Sequence, residues 1–443
     1  MAAMVGKPPY YTGVVRTSGI LLVRVWRQAI GRVSCTTLAL SLVLAATPLA
    51  SPELPAFRPN DALTRRALER FYNMDYDQAI ADFEKVVTQG PVDTQTRDPF
   101  PVNNLANCLL VRELYRMGAL DPADYLDDNF IGSPKRPAGA EASRRIRELL
   151  ERATEIEETR LQANPNDVDM LYARGVTRGM RSSYTGLIER SWFAALRSAM
   201  GSRRDHERVL QLSPTFTDAK LIVGAHDYVM GSLPWAVKAA AVVVGFSGSR
   251  ERGLEELQAA ARGGGQASID ARILLALFLR REGQLTEAVG LVRDLVQLFP
   301  QNVIFALQEG DMLRAAHRDK EALAAYRRVW QAGREGRFPV GGYELALINI
   351  GNLQRSMQDD TSALASYNML EGTSQAAPEL RQRAFLNAGE IYDLQRKRNF
   401  AMRKYEAVVA IDASSVLAQQ ARKYLREAYP RAREPHAVDS TTP

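Results

Sequence analysis

The sequence predicts an all-α protein, a solenoid of stacked helical hairpins, and three observations carry that reading. Strand signals are nearly absent, whereas apolar residues recur at three and four positions along most of the chain. A small residue followed four later by a bulky one appears as Ala79/Phe83, Ala288/Val292, Ala322/Tyr326, Ala363/Tyr367 and Ala401/Tyr405. Twelve residues before each of those alanines stands another small residue: Ala67, Ala276, Gly310, Gly351 and Gly389. From Ala288 to Ala322 is 34 residues, the length of one helix–turn–helix repeat. The physics is packing: small residues let the two helices of a hairpin approach closely, and the bulky residue fills the gap beyond.

Residues 1–50 read as an export leader or N-terminal anchor, with a basic stretch to Arg32 and an apolar core from Leu38 to Ala46. They hold Lys7, Arg16, Arg24, Arg27 and Arg32 and no acid, so most of the net charge of +6 belongs to them. With the rest near neutral, a nucleic-acid partner loses its compositional support. Export is expected, to the periplasm or to a membrane anchor facing it. Cys108 is the one cysteine after the leader, so no internal disulfide forms.

Residues 51–140 are expected to hold a first hairpin from Asn60 to Gly90, started by Asp61, a helix from Asn103 to Met117, and an irregular Pro- and Gly-bearing insertion after Asp121. Residues 141–262 form a divergent helical region. It opens with an amphipathic helix from Ala142 to Gln162 whose charge runs read as a solvated face, closed by Asn164-Pro165-Asn166-Asp167. Its most unusual stretch follows Tyr228: Gly-Ser-Leu-Pro-Trp and an apolar helix over 233–246, too short to span a membrane. Such a helix is a core element, a lipid-contacting helix or a partner-binding one. Residues 263–430 hold four hairpins (Ile269–Phe299, Val303–Gly333, Glu344–Leu370, Gln382–Ile411) and a closing helix from Ser415 to Tyr429. Residues 431–443 are a polar tail expected to be disordered.

The repeat pattern, best at Leu347, Ile350, Gly351, Ala363 and Tyr367 and close at Gly389, Tyr392, Ala401 and Tyr405, resembles that of tetratricopeptide-repeat (TPR) proteins. The middle, Gly-Ser-Leu-Pro-Trp, Gly-Phe-Ser-Gly and Arg-Glu-Arg-Gly-Leu, is similar to the central signature of the tetratricopeptide repeat protein 39 and inclusion-body-clearance family and of related exported bacterial TPR proteins. Many members carry an acid where this chain has Ser249. The resemblance implies helical repeats, some membrane-associated, and a non-catalytic role.

Arrays of this kind bind extended peptides along a concave groove lined by the first helix of each repeat. The resemblance places Gln308, Asp311, Asn349, Asn352, Asn387 and Glu390 at groove-facing positions, with Arg383 beside them. An Asn offers one acceptor and two donors, which suits a peptide backbone. Gln308, Asn349, Asn352, Arg383 and Asn387 are therefore the candidate peptide-binding set, although the paired lysines of a carboxylate clamp are missing. Trp235, Arg190 and Trp192 are candidate membrane or ligand contacts, within a basic and aromatic stretch from Arg174 to Arg204 that can equally form internal salt bridges with Glu189 and Asp205.

No catalytic group, metal site or cofactor is expected. The four histidines lack ligand spacing, and His226 and Asp227 should point apart on one helix. Gly263-Gly264-Gly265 lacks the Lys-Ser/Thr of a phosphate loop. Gly245, Gly248 and Gly253 lack dinucleotide spacing and read as helix punctuation. The expected role is a non-enzymatic adaptor of the cell envelope with protein or peptide partners; the alternative is a lipid- or small-ligand-binding helical protein using the apolar region around Trp235.

Overall fold

A computed structural model describes residues 54–90, 97–120, 137–232, 248–373 and 376–430, all within a unit running from Pro52 onward. The apolar segment 233–246 with Trp235, most of the insertion after Asp121, the leader and the tail from 431 lie outside the described residues.

Seventeen α-helices follow one another in the described residues. They are α1 (Ala62–Tyr72), α2 (Tyr76–Gln89), α3 (Phe100–Met117), α4 (Ala140–Ala163), α5 (Val168–Ser183), α6 (Trp192–Leu212), α7 (Lys220–Gly231) and α8 (Arg250–Ala261). Then come α9 (Ala267–Arg281), α10 (Leu285–Leu298), α11 (Val303–Ala315), α12 (Asp319–Arg334), α13 (Leu345–Ser356), α14 (Asp360–Glu371), α15 (Pro378–Leu394), α16 (Arg398–Ile411) and α17 (Val416–Arg426). The hairpins α1–α2, α9–α10, α11–α12, α13–α14 and α15–α16 fall where the repeat pattern predicts.

Their boundaries have local causes. Asp61 accepts from the amides of Leu63 and Thr64 at 2.9 Å, and Asp167 from Met170 at 3.2 Å. Ser249, Asn302, Asp359 and Ser415 cap α8, α11, α14 and α17 in the same way. At Ser249 the hydroxyl does what an acid would do, accepting from Arg252 N at 3.3 Å.

The repeat pattern has a direct steric meaning. A Cβ on Gly310 would sit 2.3 Å from the ring of Tyr326, on Gly351 2.4 Å from Tyr367, and on Gly389 2.5 Å from Tyr405. Each tyrosine ring of a second helix lies against the glycine of its own first helix, and all three rings are fully buried.

The succession of helices also turns back on itself. Asn302, the cap of α11, donates from its side chain to the carbonyl of Tyr72 at 2.7 Å, and Gln301 N donates to Asn73 Oδ1 at 3.0 Å. The Tyr72 and Phe299 rings lie 5.0 Å apart. The first hairpin thus packs where the first repeat of the C-terminal array meets the second, as well as on its sequence neighbours. α3, buried on most of its circumference, sits inside this arrangement.

Three sequence expectations need correction. The charged face of α4 is not wholly solvated: Glu157 is fully buried, accepting from Thr177 Oγ1 at 2.6 Å and Asn103 Nδ2 at 3.4 Å. Burial pushes its carboxyl up to about 8. His226 and Asp227 do not diverge; both meet the Arg203 guanidinium, at 2.7 and 3.2 Å. Gly253 is not punctuation but lies inside α8, where a Cβ would stand 2.4 Å from the backbone nitrogen of Tyr228. Gly224 does the same from α7, 2.9 Å from the carbonyl oxygen of Gly253. The two helices of the central hairpin therefore touch backbone to backbone.

Candidate functional site

The first helices of the C-terminal hairpins, α11, α13 and α15, bring most of the predicted groove residues onto one connected polar face. Asn387 Nδ2 on α15 donates to Asn352 Oδ1 on α13 at 2.9 Å, and the same oxygen accepts from Tyr367 OH at 2.7 Å. One repeat earlier, Asp311 accepts from Tyr326 OH at 2.5 Å and from Gln308 Nε2 at 3.2 Å. Asn349 Nδ2 stands 3.5 Å from Asp311 Oδ1, at the edge of hydrogen-bonding range. Each buried tyrosine that fills a glycine hollow thus anchors its hydroxyl to the polar face. In the last repeat Tyr405 OH uses Asp393 Oδ2, at 3.0 Å.

These anchors tune the phenols and acids. Burial pushes the Tyr367 hydroxyl up to about 12. Burial and the Asp311 carboxylate raise Tyr326, and burial and Asp393 raise Tyr405. Burial also raises Glu390 against the pull of Arg355, whose guanidinium reaches it at 2.7 Å.

The pattern fixes what the face can offer. Asn352 has its carbonyl oxygen taken twice, leaving its amide group as donor. Asn387 spends one N–H and keeps its oxygen as acceptor. Donor and acceptor on adjacent helices match the alternation of C=O and N–H along an extended peptide. Gln308 is tied to Asp311. Arg383, half-exposed, pairs with Glu379 on its own helix at 3.0 Å, so it is a neighbour of the face more than a part of it. Sequence reasoning missed the tyrosine hydroxyls and Asp393; the alanine–tyrosine spacing marks the rings, but not where the hydroxyls end.

The second candidate set is split. Arg174 and Arg178 both hold Asp205 at 2.6 Å, and Arg181 reaches Thr154 and the Leu150 carbonyl, so much of the basic stretch is internally paired. Glu189 is not used in this way. At the start of α6 the picture differs: Phe193 is 89% exposed, Leu196 47% and Trp192 42%. Arg190 precedes them at a positive φ of 55°, exposed, and lines with Arg147 and Tyr184 an open pocket of about 530 Å³. Trp235 lies outside the described residues. Among those residues no cluster of three or more His, Cys, Asp or Glu side chains could hold a metal, and no helix is long and apolar enough to cross a membrane.

Hairpins with glycine–tyrosine hollows, capped ends and a shared polar face make this a TPR-like protein. The profile of the Iml2/Tetratricopeptide repeat protein 39 family matches residues 216–337, which span the central hairpin and the first two hairpins of the array. No curated protein matches the chain. Among solved structures, the human IFIT1 dimer with m7Gppp-AAAA is 16% identical, covering 85% of this chain and 91% of its own, with a TM-score of 0.35. YrrB, a TPR protein with an unusual peptide-binding site, is 15% identical over 60% of this chain and 97% of its own, with a TM-score of 0.28. The anaphase-promoting-complex hetero-tetramer Cut9-Hcn1 is 12% identical over 82% and 76%, with a TM-score of 0.31. At such TM-scores these likenesses carry no argument about ligands.

Proposed function

We propose that the protein is a non-enzymatic adaptor or scaffold of the cell envelope that holds an extended segment of a protein partner on the face of α11, α13 and α15. The observation that supports this most is the Asn352–Asn387 pair, which leaves a free amide donor beside a free carbonyl acceptor on neighbouring helices. Asn349 extends the row toward Asp311. An envelope location rests on the leader alone, and the absence of nucleic acid among the partners rests on the near-neutral charge beyond it.

The test is crosslinked capture of tagged protein from fractionated cells, with an Asn349→Ala/Asn387→Ala variant alongside. Both substitutions spare the Tyr367–Asn352 bond, so helicity should hold. Partners retained equally by the variant exclude this face, and recovery in the cytosolic fraction excludes the envelope.

A second reading is supported by the exposed Trp192, Phe193 and Leu196 beside Arg190: contact with an anionic lipid surface, to which Trp235 would add. Flotation with phosphatidylglycerol vesicles should then fall in Phe193→Ser/Leu196→Ser and weaken with salt. Equal flotation of the variant removes this reading.

A further inference from the structure

Outside the groove, one extended piece of the chain is held as a bound peptide would be. Residues 54–60 precede α1 and form no helix. Ala56 N donates to Gly264 O at 2.8 Å in an isolated parallel bridge with Gly265, and Phe57 is buried. Both backbone groups of Arg58 are read: its N–H donates to Gln266 Oε1 at 3.3 Å, and its carbonyl accepts from Asn104 Nδ2 at 2.8 Å. Gln266 and Asn104 are themselves joined at 3.1 Å, forming one recognition unit from distant parts of the chain.

The Arg58 side chain enters a cage. Its guanidinium carbon lies 4.7 Å from the Phe216 ring centroid, 5.7 Å from Phe100 and 5.9 Å from Tyr172. The rings brace one another, Tyr172 against Phe216 at 4.9 Å and against Phe100 at 6.1 Å. Asp169 closes the rim, 2.6 Å from an Arg58 nitrogen. Nearby, Asp218 is 4% exposed and has one carboxylate oxygen without a hydrogen-bond partner; burial raises its carboxyl pKa, against the pull of the Ala267 amide and of the Arg58 charge. Aromatic faces, a rim carboxylate and a buried acid make a pocket selective for a planar cation.

We propose that this pocket is a peptide-reading site, filled here in cis by Phe57-Arg58-Pro59, and that a partner protein presenting an extended aromatic–arginine–proline segment takes it by displacing that strap. The site lies on α3, α5, the turn before α7 and the start of α9, so it is separate from the polar face of α11–α15. Its ligand is defined by what the strap shows to fit: an extended backbone, an apolar ring and a guanidinium. The strap is held by three backbone bonds, one ion pair half open to solvent, the three rings around Arg58 and the buried Phe57, the contacts that a displacing segment of the same kind would have to remake.

The probe is a fluorescein-labelled peptide of the sequence Leu54–Asn60, titrated into the full chain by anisotropy. Arg58→Ala, which empties the cage, should bind it at least ten-fold more tightly than the wild type, and Tyr172→Ala placed on Arg58→Ala should lose that gain. A peptide with alanine in place of its arginine should not bind. On the wild type, excess peptide should accelerate amide hydrogen exchange at 54–60 and leave the rest unchanged. Folded Arg58→Ala that binds no better than wild type overturns the proposal. Should that variant not fold, unchanged exchange of 54–60 in the wild type overturns it alone. Peptide-independent dimerisation of Arg58→Ala would instead assign the pocket to a second copy of the chain and overturn the partner reading.

Discussion

The C-terminal array and the central hairpin α7–α8 both place glycine inside a helix, for different neighbours. In the array, Gly310, Gly351 and Gly389 each face a tyrosine ring, so the helices of a hairpin are spaced by one aromatic thickness. In the central hairpin, Gly224 and Gly253 face backbone, and the helices meet with no side chain between them. The array buries tyrosine hydroxyls on Asn and Asp, and also arginine-paired acids such as Glu390 with Arg355 at 2.7 Å and Asp393 with Arg398 at 3.0 Å. The central hairpin buries a full charge, Asp227, held by Arg203 at 3.2 Å and by Arg252 at 2.5 Å. A ring can tilt or be replaced, whereas backbone and a buried ion cannot. Overpacking at a glycine can therefore be relieved by a side-chain change in the array but not in the central hairpin.

Asp227→Ala would break that contrast hardest. It leaves Arg203, in a nearly closed site, with Glu207 and His226 as partners, and about 3 kcal/mol of stability should be lost, at the low end of the range because Glu207 still pairs with Arg203 and Arg252 is half-exposed. The urea midpoint of the full chain reads this directly, and a midpoint within error of the wild type would show that the ion cluster is dispensable.

Paired substitutions sharpen the comparison. Gly253→Ala and Gly351→Ala should each cost about 1–3 kcal/mol from overpacking, partly offset by alanine's better helix propensity. Tyr367→Leu shortens the side chain that Gly351→Ala would meet, so that double variant should recover about 1 kcal/mol relative to additivity. No side-chain change at Tyr228 should rescue Gly253→Ala, because the clash is with its backbone nitrogen. Rescue there would mean the central helices are not in backbone contact.

The last effect is a slope with pH. Glu157, buried between α3, α4 and α5, has a folded pKa raised to about 8 from an ordinary 4.5, chiefly by burial. The folded state holds this proton more tightly than the unfolded one. Its contribution is therefore complete below about pH 4.5, declines as pH rises, and is lost above about pH 8, at up to about 1.4 kcal/mol per pH unit. Glu157→Gln should flatten the pH dependence of the denaturation midpoint between pH 5 and 8; an unchanged slope would mean that Glu157 is not protonated in the fold.

The array was legible because its rule is local: one ring and one small residue at fixed spacing in a single hairpin, as with Gly351, Ala363 and Tyr367. The cap at Asp61 was legible for the same reason. The Asn352–Asn387 contact was half legible; spacing put both residues on one face, but the competition of Tyr367 for the Asn352 oxygen depends on how far a ring reaches. Gly253 was misread because backbone contact leaves no bulky partner in the sequence to pair it with. Glu157 was misread because its partner Thr177 stands on another helix. The Arg58 cage was not legible, since its rings come from residues 100, 172 and 216.

The tie between Tyr72 and Asn302 sets an order of events. Some 230 residues separate the two, so the first hairpin leaves the ribosome long before the surface that covers it exists. At about 5–20 residues per second the wait is on the order of 10–50 s. During that interval Phe71, Tyr72 and the other apolar residues of α1 have only α2 and α3 to shelter them, and the chain is then most open to capture by a chaperone.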